Sequence, residues 1–417
     1  MEMFVDPAPG SRRRWAIFVF GSMNFVISMF YRCSTAVISP ALVNDLSMTS
    51  TQLSHLSAAF YYAFALAQIP LGVALDRIGP RRTMMFLAAA AVGGAVAFAS
   101  ARTPEQLIWA RALLGIGMCG NLMVLMTLLA AWFPVNRFAF LSGLAISVGT
   151  LGNLIAATPL ALLNISIGWR ASFFLFAGIN AVVVTLFILV SKDSPNGRNV
   201  DLPKPQPLIT GLSRLIRMYS YWAISLCGFV RYGYYAALQS LWFGPFLITG
   251  MGLNEIQAGN ALLALGIGYM TGLPFWGRIS DKIARTRKWV VLPTLIAFGL
   301  VSTSFLLWNR SVPYSMILLT FFVLGFTSAP GQILYAHVKE LLPTNMIAQA
   351  MTSVNLFTIL GVGAMIHVLG LFLADDPSKL VDVASFQPLW IVGVIALTIV
   401  CVLYSRVPDS SALRSNE

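Results

Sequence analysis

Two arginines, Arg32 and Arg231, lie inside long apolar segments of the chain. An arginine at the centre of a lipid bilayer costs about 2.5 to 3.5 kcal/mol on insertion scales, so it persists only where water, backbone carbonyls or a negatively charged solute contacts it. No Asp or Glu shares the apolar segments with these two residues. The unbalanced positive charge indicates a site for a small anion. The alternative is structural, with each guanidinium group bonded to helix ends or tyrosines.

The composition places these segments in a membrane. Of the 417 residues, 58% are hydrophobic and 10% are charged, and the mean hydropathy is +0.78, outside the range of soluble domains. We therefore predict an all-α membrane protein with twelve transmembrane helices, each long enough to cross about 30 Å of hydrocarbon. The predicted spans are residues 15–40, 51–75, 83–101, 105–132, 138–163, 170–191, 220–248, 255–276, 288–308, 313–338, 345–373 and 384–405.

The net charge of +12 is explained by topology and not by nucleic acid. Most of the 27 lysines and arginines fall in loops that share one side of the membrane with the N-terminus, which the positive-inside rule assigns to the cytoplasm. We predict that both termini are cytoplasmic, that the protein is a monomer, and that its membrane is a bacterial inner membrane because its loops are short. The first apolar segment lacks a small-residue cleavage site and is interpreted as a retained span, not a signal peptide.

The sequence lacks the motifs of several other functions. The four cysteines fall in predicted helices without paired spacing, which indicates neither disulfides nor a metal site. Gly115 and Gly117 do not form a nucleotide-binding fingerprint, since no strand precedes them. The apolar segments contain no pairing of a nucleophile with a base. We expect no cofactor, no metal and no enzymatic activity.

A motif after the second predicted span recurs after the eighth. Gly72, Asp76 and Arg77 have counterparts in Gly277, Asp281 and Lys282, and the same shift brings Pro40 onto Pro245. Such an internal repeat is typical of transporters built from two related halves. We predict six-helix bundles at residues 1–191 and 220–417, joined by a linker at 192–219 that ends in an amphipathic helix on the cytoplasmic interface.

The repeated loop and the twelve predicted helices resemble the major facilitator superfamily over nearly the whole chain. This resemblance implies that the loops latch the two halves together on the cytoplasmic side, with glycine allowing close helix contact and aspartate capping a neighbouring helix and pairing with basic residues. The implied latch residues are Gly72, Asp76, Arg77, Gly79, Arg81, Arg82, Gly277, Asp281 and Arg285. In the alternative interpretation, the arginines are topology signals alone.

Both arginines lie on polar stripes at helical spacing. In the first span the stripe is Asn24, Ser28, Arg32, Thr35 and Ser39, and in the seventh it is Arg231, Tyr234, Tyr235, Leu238, Gln239 and Trp242. We predict that both stripes face a cavity between the halves, although aromatic stripes are also common in helix packing. The candidate substrate-binding residues are Arg32, Arg231, Tyr31, Tyr62, Asn121, Tyr234, Tyr235, Gln239, Gln332 and Asn355.

Within the superfamily, the first third of the chain most closely resembles the anion:cation symporters, which include sugar-acid permeases, sialin and vesicular glutamate transporters. The residues that carry this resemblance are Tyr31-Arg32-Cys33 with Pro40, Gln68-Ile-Pro70 and Phe229-Val-Arg231. It implies that Arg32 and Arg231 bind the carboxylate of a substrate, and that Arg111 is a further basic position, a gate or an anchor.

The chain departs from the proton-coupled symporters in its titratable groups. Tyr31 and Met118 stand where those members carry carboxylates. The remaining candidates for proton coupling are His55, His337 and His367, although a histidine in a membrane helix often only bridges neighbours.

These features favour a secondary or facilitative transporter of a small organic anion, working by alternating access. Importing a monovalent anion into a negative interior costs about 2.3 kcal/mol per 100 mV, so symport with protons, export and exchange all remain open. One alternative is efflux of drugs, although the fifth span contains Gly149-Thr-Leu-Gly152 in place of the Gly-Pro pair of drug antiporters. Another is a receptor or assembly factor that does not transport.

Overall fold

The described part of the computed structural model comprises residues 12–193, 215, 217–341, 347–376, 379–380 and 382–409, and it is built of helices. In the first half the helices are α1 (Arg12–Leu46), α2 (Ser50–Ile78), α3 (Pro80–Ser100), α4 (Pro104–Met118), α5 (Asn121–Trp132), α6 (Val135–Ile155) and α7 (Thr158–Val190). In the second half they are α8 (Tyr219–Ala237), α9 (Glu255–Arg278), α10 (Lys288–Ser304), α11 (Tyr314–Ser328), α12 (Ile333–Leu341), α13 (Ile347–Leu371) and α14 (Gln387–Ser405). Most of the predicted linker, with its amphipathic helix, lies outside the described residues.

Within the described residues, nine helices are long and apolar enough to cross a membrane, and Phe140–Ile155 is a shorter apolar helix. One of the nine, Thr158–Val190, bends at Gly168, whose φ of 80° is readily adopted by glycine and rarely by other residues. This bend falls between the predicted fifth and sixth spans. The helices at the predicted seventh and eighth spans are long but rich in tyrosine, serine and glycine. The helical membrane fold is confirmed, and the count of twelve remains a prediction.

The two halves begin their second long helix in the same way. At α2, the Gln52 amide donates to Thr49 Oγ1 at 3.2 Å and the Thr49 amide donates to Gln52 Oε1 at 3.0 Å. At α9, Asn254 and Gln257 make the same reciprocal pair at 2.8 and 3.2 Å. Each capping box satisfies amides that the first helical turn leaves without partners. The shift that relates the loop motifs also relates these caps.

The halves meet most closely on the side of the bundle away from the chain termini, called here the opposite side; the other is the termini side. Thr158 on α7 donates to Asn260 on α9 at 2.7 Å, and Asn164 on α7 donates to Glu255 at 2.8 Å. At the start of α2, the Ser50 amide donates to the Asp375 carbonyl at 2.9 Å. These bonds join the first half to the second, so the opposite side is closed.

At the helix ends on the termini side, the described ion pairs stay within one half, whereas nearer the middle of the bundle Asn355 bonds Gln68 across the halves. The Arg81 backbone amide donates to Asp193 Oδ1 at 2.7 Å in the first half, and in the second half the Arg287 guanidinium group bonds Glu340 at 2.9 Å and also pairs with Asp281. Asp281, predicted to belong to the latch, therefore pairs within its own half. A Cβ on either Gly72 or Gly277 would have no neighbour within 4 Å, and Arg77, Arg82 and Arg285 are exposed. Gly79 lies beside Asp193, and the Asp76 side chain is outside the described part. A latch between the halves remains a prediction, and it applies to a conformation in which the termini side is closed.

Gly244 marks the tightest approach of the halves on the opposite side. A Cβ at this position would lie 1.7 Å from the carbonyl oxygen of Ala36 on α1, a backbone atom that cannot turn aside. Gly244→Ala should therefore push the halves apart, with an overpacking cost of about 1 to 3 kcal/mol against the closed arrangement. Labelling of an engineered cysteine near Ala36 should become faster. Gly299→Ala is the matched control, since its Cβ would meet nothing within 4 Å, and equal labelling of the two variants would contradict the expectation.

Candidate functional site

Arg231 is held inside the second half by the broken end of α11. The helix stops at Ser328 because Pro330 has no amide hydrogen, which frees nearby carbonyls. The carbonyl of Phe326 accepts instead from Trp276 Nε1 at 3.0 Å, and that of Thr327 accepts from Arg231 Nη2 at 2.8 Å. Nη2 also lies 3.3 Å from Thr294 Oγ1. Only part of the guanidinium group is used by these bonds.

The other donors of Arg231 have no partner. Its side chain is only 1% exposed, yet Nε and Nη1 bond no described group. The residue lines a small cavity, partly open to solvent, with a volume of about 10 Å³, roughly the room needed by one water molecule. The remaining lining residues are Gly228, Tyr232, Gly331, Gln332, Leu334, Tyr335, Val354 and Thr358. Because buried donors without partners are costly, this cavity is arranged for an acceptor.

Arg32 approaches the same region from the first half. Its guanidinium carbon lies 4.4 Å from the centre of the Phe64 ring on α2, a cation–π contact, and its Nε has no hydrogen-bond partner. The residue is 9% exposed, and Tyr232 of α8 lies near its guanidinium group. Tyr232 follows Arg231 in the chain and also lines the cavity. Thus one tyrosine from the second half links the surroundings of both arginines.

Tyrosines and amides extend this site. Tyr235 stacks on Tyr269 with ring centres 5.0 Å apart, and Gln332 Nε2 lies 3.4 Å from Tyr269 Oη. Gln239 is buried beside Tyr235. Together these groups offer hydroxyl and amide partners for the uncharged part of a ligand.

A second set of predicted residues bridges α2 and α13. Asn355 donates to Gln68 Oε1 at 3.2 Å and accepts from Tyr335 at 3.2 Å. Tyr62 packs so closely on Gly363 that a Cβ there would lie 2.7 Å from its ring. These contacts cross from the first half to the second.

Three further candidates make their described contacts within one half. Tyr31 packs against Phe173 within the first half, at 5.9 Å between ring centres. Asn121 donates to the Asn24 carbonyl at 3.3 Å, also within that half. Tyr234 packs on Gly393 of α14.

The predicted stripes are therefore split. On α1, Ser28 donates to the carbonyl of Met118, where α4 ends, and Thr35 accepts from Arg111. On the seventh predicted span, π-helical turns at Leu238–Trp242 and Phe246–Gly250 change the helical register, and Trp242 donates to Ile366 at 3.3 Å. Residues that share a stripe by ideal helical spacing therefore do not all face the cavity.

Arg111 on α4 is a third buried arginine. It is 0% exposed, donates to the Tyr31 carbonyl at 2.7 Å and bonds Thr35 Oγ1. Its guanidinium carbon also lies 5.1 Å from the Phe60 ring centre. Its described partners belong to the first half, so of the two predicted roles the structure favours the anchor.

The ion pairs of the described residues lie at the ends of the bundle. They join Arg170 to Asp45, and Arg287 to Asp281 and Glu340. None of the three buried arginines has a carboxylate partner in the described part of the chain. The four cysteines are free thiols in the structure.

The three histidines have different surroundings. His337 is buried and bonds Tyr404 Oη at 2.8 Å and the Pro408 carbonyl at 3.1 Å. His55 on α2 and His367 on α13 lie together, with ring centres 4.9 Å apart. In the sequence each histidine is a separate candidate, and the pairing of His55 with His367 is seen only in the structure.

Sequence reasoning missed Tyr232, Tyr269 and Phe64. Tyr232 directly follows Arg231 and lies off the polar stripe, while Tyr269 and Phe64 stand alone among apolar residues. Their roles depend on which helices meet, which helical periodicity does not specify.

Comparison with known proteins places these findings in a family. The model of the Major Facilitator Superfamily matches residues 20–266 and 224–417. The probable sulfoacetate transporter of Cupriavidus necator is 24% identical over 74% of this chain and 76% of its own length. The hexuronate transporter of Bacillus subtilis is 23% identical over 81% and 82%, respectively. A bacterial homologue of the human lysosomal transporter Spinster, solved in an inward-facing, unoccupied conformation, has a similar fold, with a TM-score of 0.76 at 15% identity over 95% of this chain and 97% of that one.

Proposed function

The chain belongs to the major facilitator superfamily, and we propose that it carries a small organic anion across the membrane by alternating access. The observation that supports this proposal is the pair of guanidinium groups at one interface. Arg32 comes from the first half and keeps Nε without a partner among the described residues, and Arg231 comes from the second and keeps Nε and Nη1. An anion between them would supply the missing acceptor and offset the cost of burying positive charge.

The geometry suggests how binding and movement are connected. A carboxylate or sulfonate that bonds Arg231 Nε and Nη1 takes the place next to Tyr232, and Tyr232 lies beside Arg32. The anion thus bonds both halves at once, while Tyr235, Gln239 and Gln332 contact its uncharged part. Such a bridge stabilises a conformation in which the halves close around the ligand, and the ligand's preference for that state drives the change.

The relatives support an organic anion as the cargo. One is named for sulfoacetate and one for hexuronate, and each of these compounds combines an acidic group with further polar groups. We propose the same chemical class for this chain, bound through its acidic group by Arg32 and Arg231. Transport of this kind needs no cofactor and no enzymatic step.

We also propose that the termini side faces the cytoplasm of a bacterial cell. Arg12, Arg13, Arg77 and Arg82 are all exposed on that side, as the positive-inside rule requires. The closed opposite side then faces outward, and the structure corresponds to an inward-facing state. The repeated loop residues would latch the halves when the termini side closes.

Counterflow in proteoliposomes tests this proposal. Vesicles loaded with unlabelled glucuronate or sulfoacetate should accumulate the labelled compound transiently, whereas vesicles loaded with glucose should not accumulate labelled glucose. The expected difference arises because glucose has the size and hydroxyl groups of glucuronate but lacks its charge. Accumulation of a lipophilic cation, with none for a broad panel of organic acids, would instead support drug efflux. No exchange of any compound by a correctly folded protein would support a receptor.

A further inference from the structure

The opposite side contains an interaction that the anion site does not use. His55 belongs to α2 in the first half and His367 to α13 in the second, and their ring centres are 4.9 Å apart at an interplanar angle of 45°. One residue before His55, Ser54 packs against Gly370, where a Cβ would lie 2.0 Å from Ser54 Oγ. The two imidazoles are therefore part of the contact that closes this side.

The pair lies next to the hydrogen bonds that join the same helices. One turn before His55, the Thr51 amide donates to Asp375 Oδ1 at 3.2 Å. The hydrogen bonds from Thr51 hold the pKa of the Asp375 carboxyl below its ordinary value. Asp375 therefore stays charged over the pH range in which imidazoles titrate, and any change of charge at mildly acidic pH falls on the histidines.

The neighbouring helices carry other charged groups. Arg111 on α4 bonds Tyr31 and Thr35, whereas Arg32 on α1 and Arg231 on α8 belong to the anion site. His337 on α12 lies on the termini side with Tyr404. Glu105, at the start of α4, and Lys379, after α13, are exposed on the opposite side. His367 contacts the His55 ring directly.

Two imidazoles at this separation accommodate the neutral state, or a single shared proton, better than two protons. His55 is exposed and His367 half-buried, and a second proton places like charges next to each other at this contact, which opposes closure. When the opposite side opens, the two rings separate and each binds a proton in water. Protons therefore bind the open state more tightly, so by linkage a lower pH favours opening.

We infer that His55 and His367 form a proton-binding site that controls opening of the opposite side. Protonation of both rings releases the contact between α2 and α13, and loss of a proton allows it to close again. This inference rests on the proposed transport cycle, in which the opposite side opens and closes. It places the proton-sensitive groups at the gate on that side and not beside Arg32. It supplies a titratable element to a chain that has Tyr31 and Met118 where carboxylates would be expected.

Distance measurements between spin labels test the inference without any substrate. Labels at Arg102→Cys in the first half and Ser311→Cys in the second report on the opposite side, in a chain whose four native cysteines are replaced by alanine. At pH 8 the distribution should show the closed distance. At pH 5.5 a longer distance should become the main population, with the transition near the pH at which imidazoles titrate.

The histidine variants decide the outcome. His55→Gln and His367→Gln each leave at most one titrating ring, so each should lose most of the pH-driven shift, while the control Glu105→Gln keeps it. An unchanged distribution between pH 8 and 5.5 in the parent, or a full shift in both histidine variants, would overturn the inference. Since no anion is present, that result would leave the anion site itself untouched, and failure of counterflow would leave the gate untouched.

Discussion

Arg32→Gln should weaken binding of the transported anion by about 30-fold to several thousandfold and reduce transport accordingly. The expected loss is about 2 to 5 kcal/mol, the usual cost of removing one member of a buried, hydrogen-bonded charge pair, and each 1.4 kcal/mol corresponds to a factor of ten. The measurement is the initial rate of counterflow over a range of anion concentrations. Because Arg32 itself makes only a cation–π contact with Phe64 and approaches Tyr232, the variant should fold with nearly unchanged thermal stability.

Phe64→Leu is a suitable control for this experiment. It removes the ring beneath the guanidinium group but keeps the charge, so it should lower anion affinity far less than Arg32→Gln does. Normal transport by Arg32→Gln would show that Arg32 is not an anion ligand. A variant that fails to fold would instead indicate that Arg32 supports the structure, contrary to its few contacts.

Arg111→Ala should have the opposite effect, a large loss of stability. The substitution removes bonds to the Tyr31 carbonyl and to Thr35 and leaves a cavity next to Phe60. Each bond to a charged group contributes about 1.5 to 3 kcal/mol, and the cavity adds to this, so we expect a loss of about 3 kcal/mol or more. Thermal unfolding of the purified protein in detergent measures the effect.

Arg111→Met separates the anchor from a role in binding. Methionine fills much of the space without a charge, and hydrophobic replacements of buried charged groups are often tolerated, so part of the stability should return. The folded fraction should still bind the anion. Native stability combined with lost binding in both variants would instead make Arg111 a ligand.

The general fold could be predicted from the sequence because few structures satisfy all backbone hydrogen bonds inside a membrane. Apolar segments of spanning length must form helices in lipid, and the basic residues predict which loops share a side. The repeat of Asp76 at Asp281 identified two related halves, and the capping boxes at Thr49 and Asn254 repeat in the same way. These signals are local in the chain or depend only on composition.

The site was accessible only in part, because its members meet through tertiary packing. An arginine in an apolar segment is visible in the sequence, but whether its head contacts a cavity or a neighbouring helix is not. Arg32 keeps an unpartnered Nε and Arg231 an unpartnered Nε and Nη1, whereas Arg111, whose Nε is also unpartnered, donates its other nitrogens to Tyr31 and Thr35 inside the first half. Tyr31 and Tyr234 face helix neighbours, while Tyr232, off the predicted stripe, lines the cavity. The π-helical turns after Ala237 are another feature that helical spacing cannot specify.

Equilibrium binding of a labelled organic acid to the purified protein tests the central claim, that Arg32 and Arg231 hold one anion between the halves. We expect binding by the native protein, and a loss of about 30-fold or more in both Arg32→Gln and Arg231→Gln. The double variant should lose less than the sum of the two, since both side chains contact one ligand. Native affinity in either single variant, with the protein folded, would contradict the account.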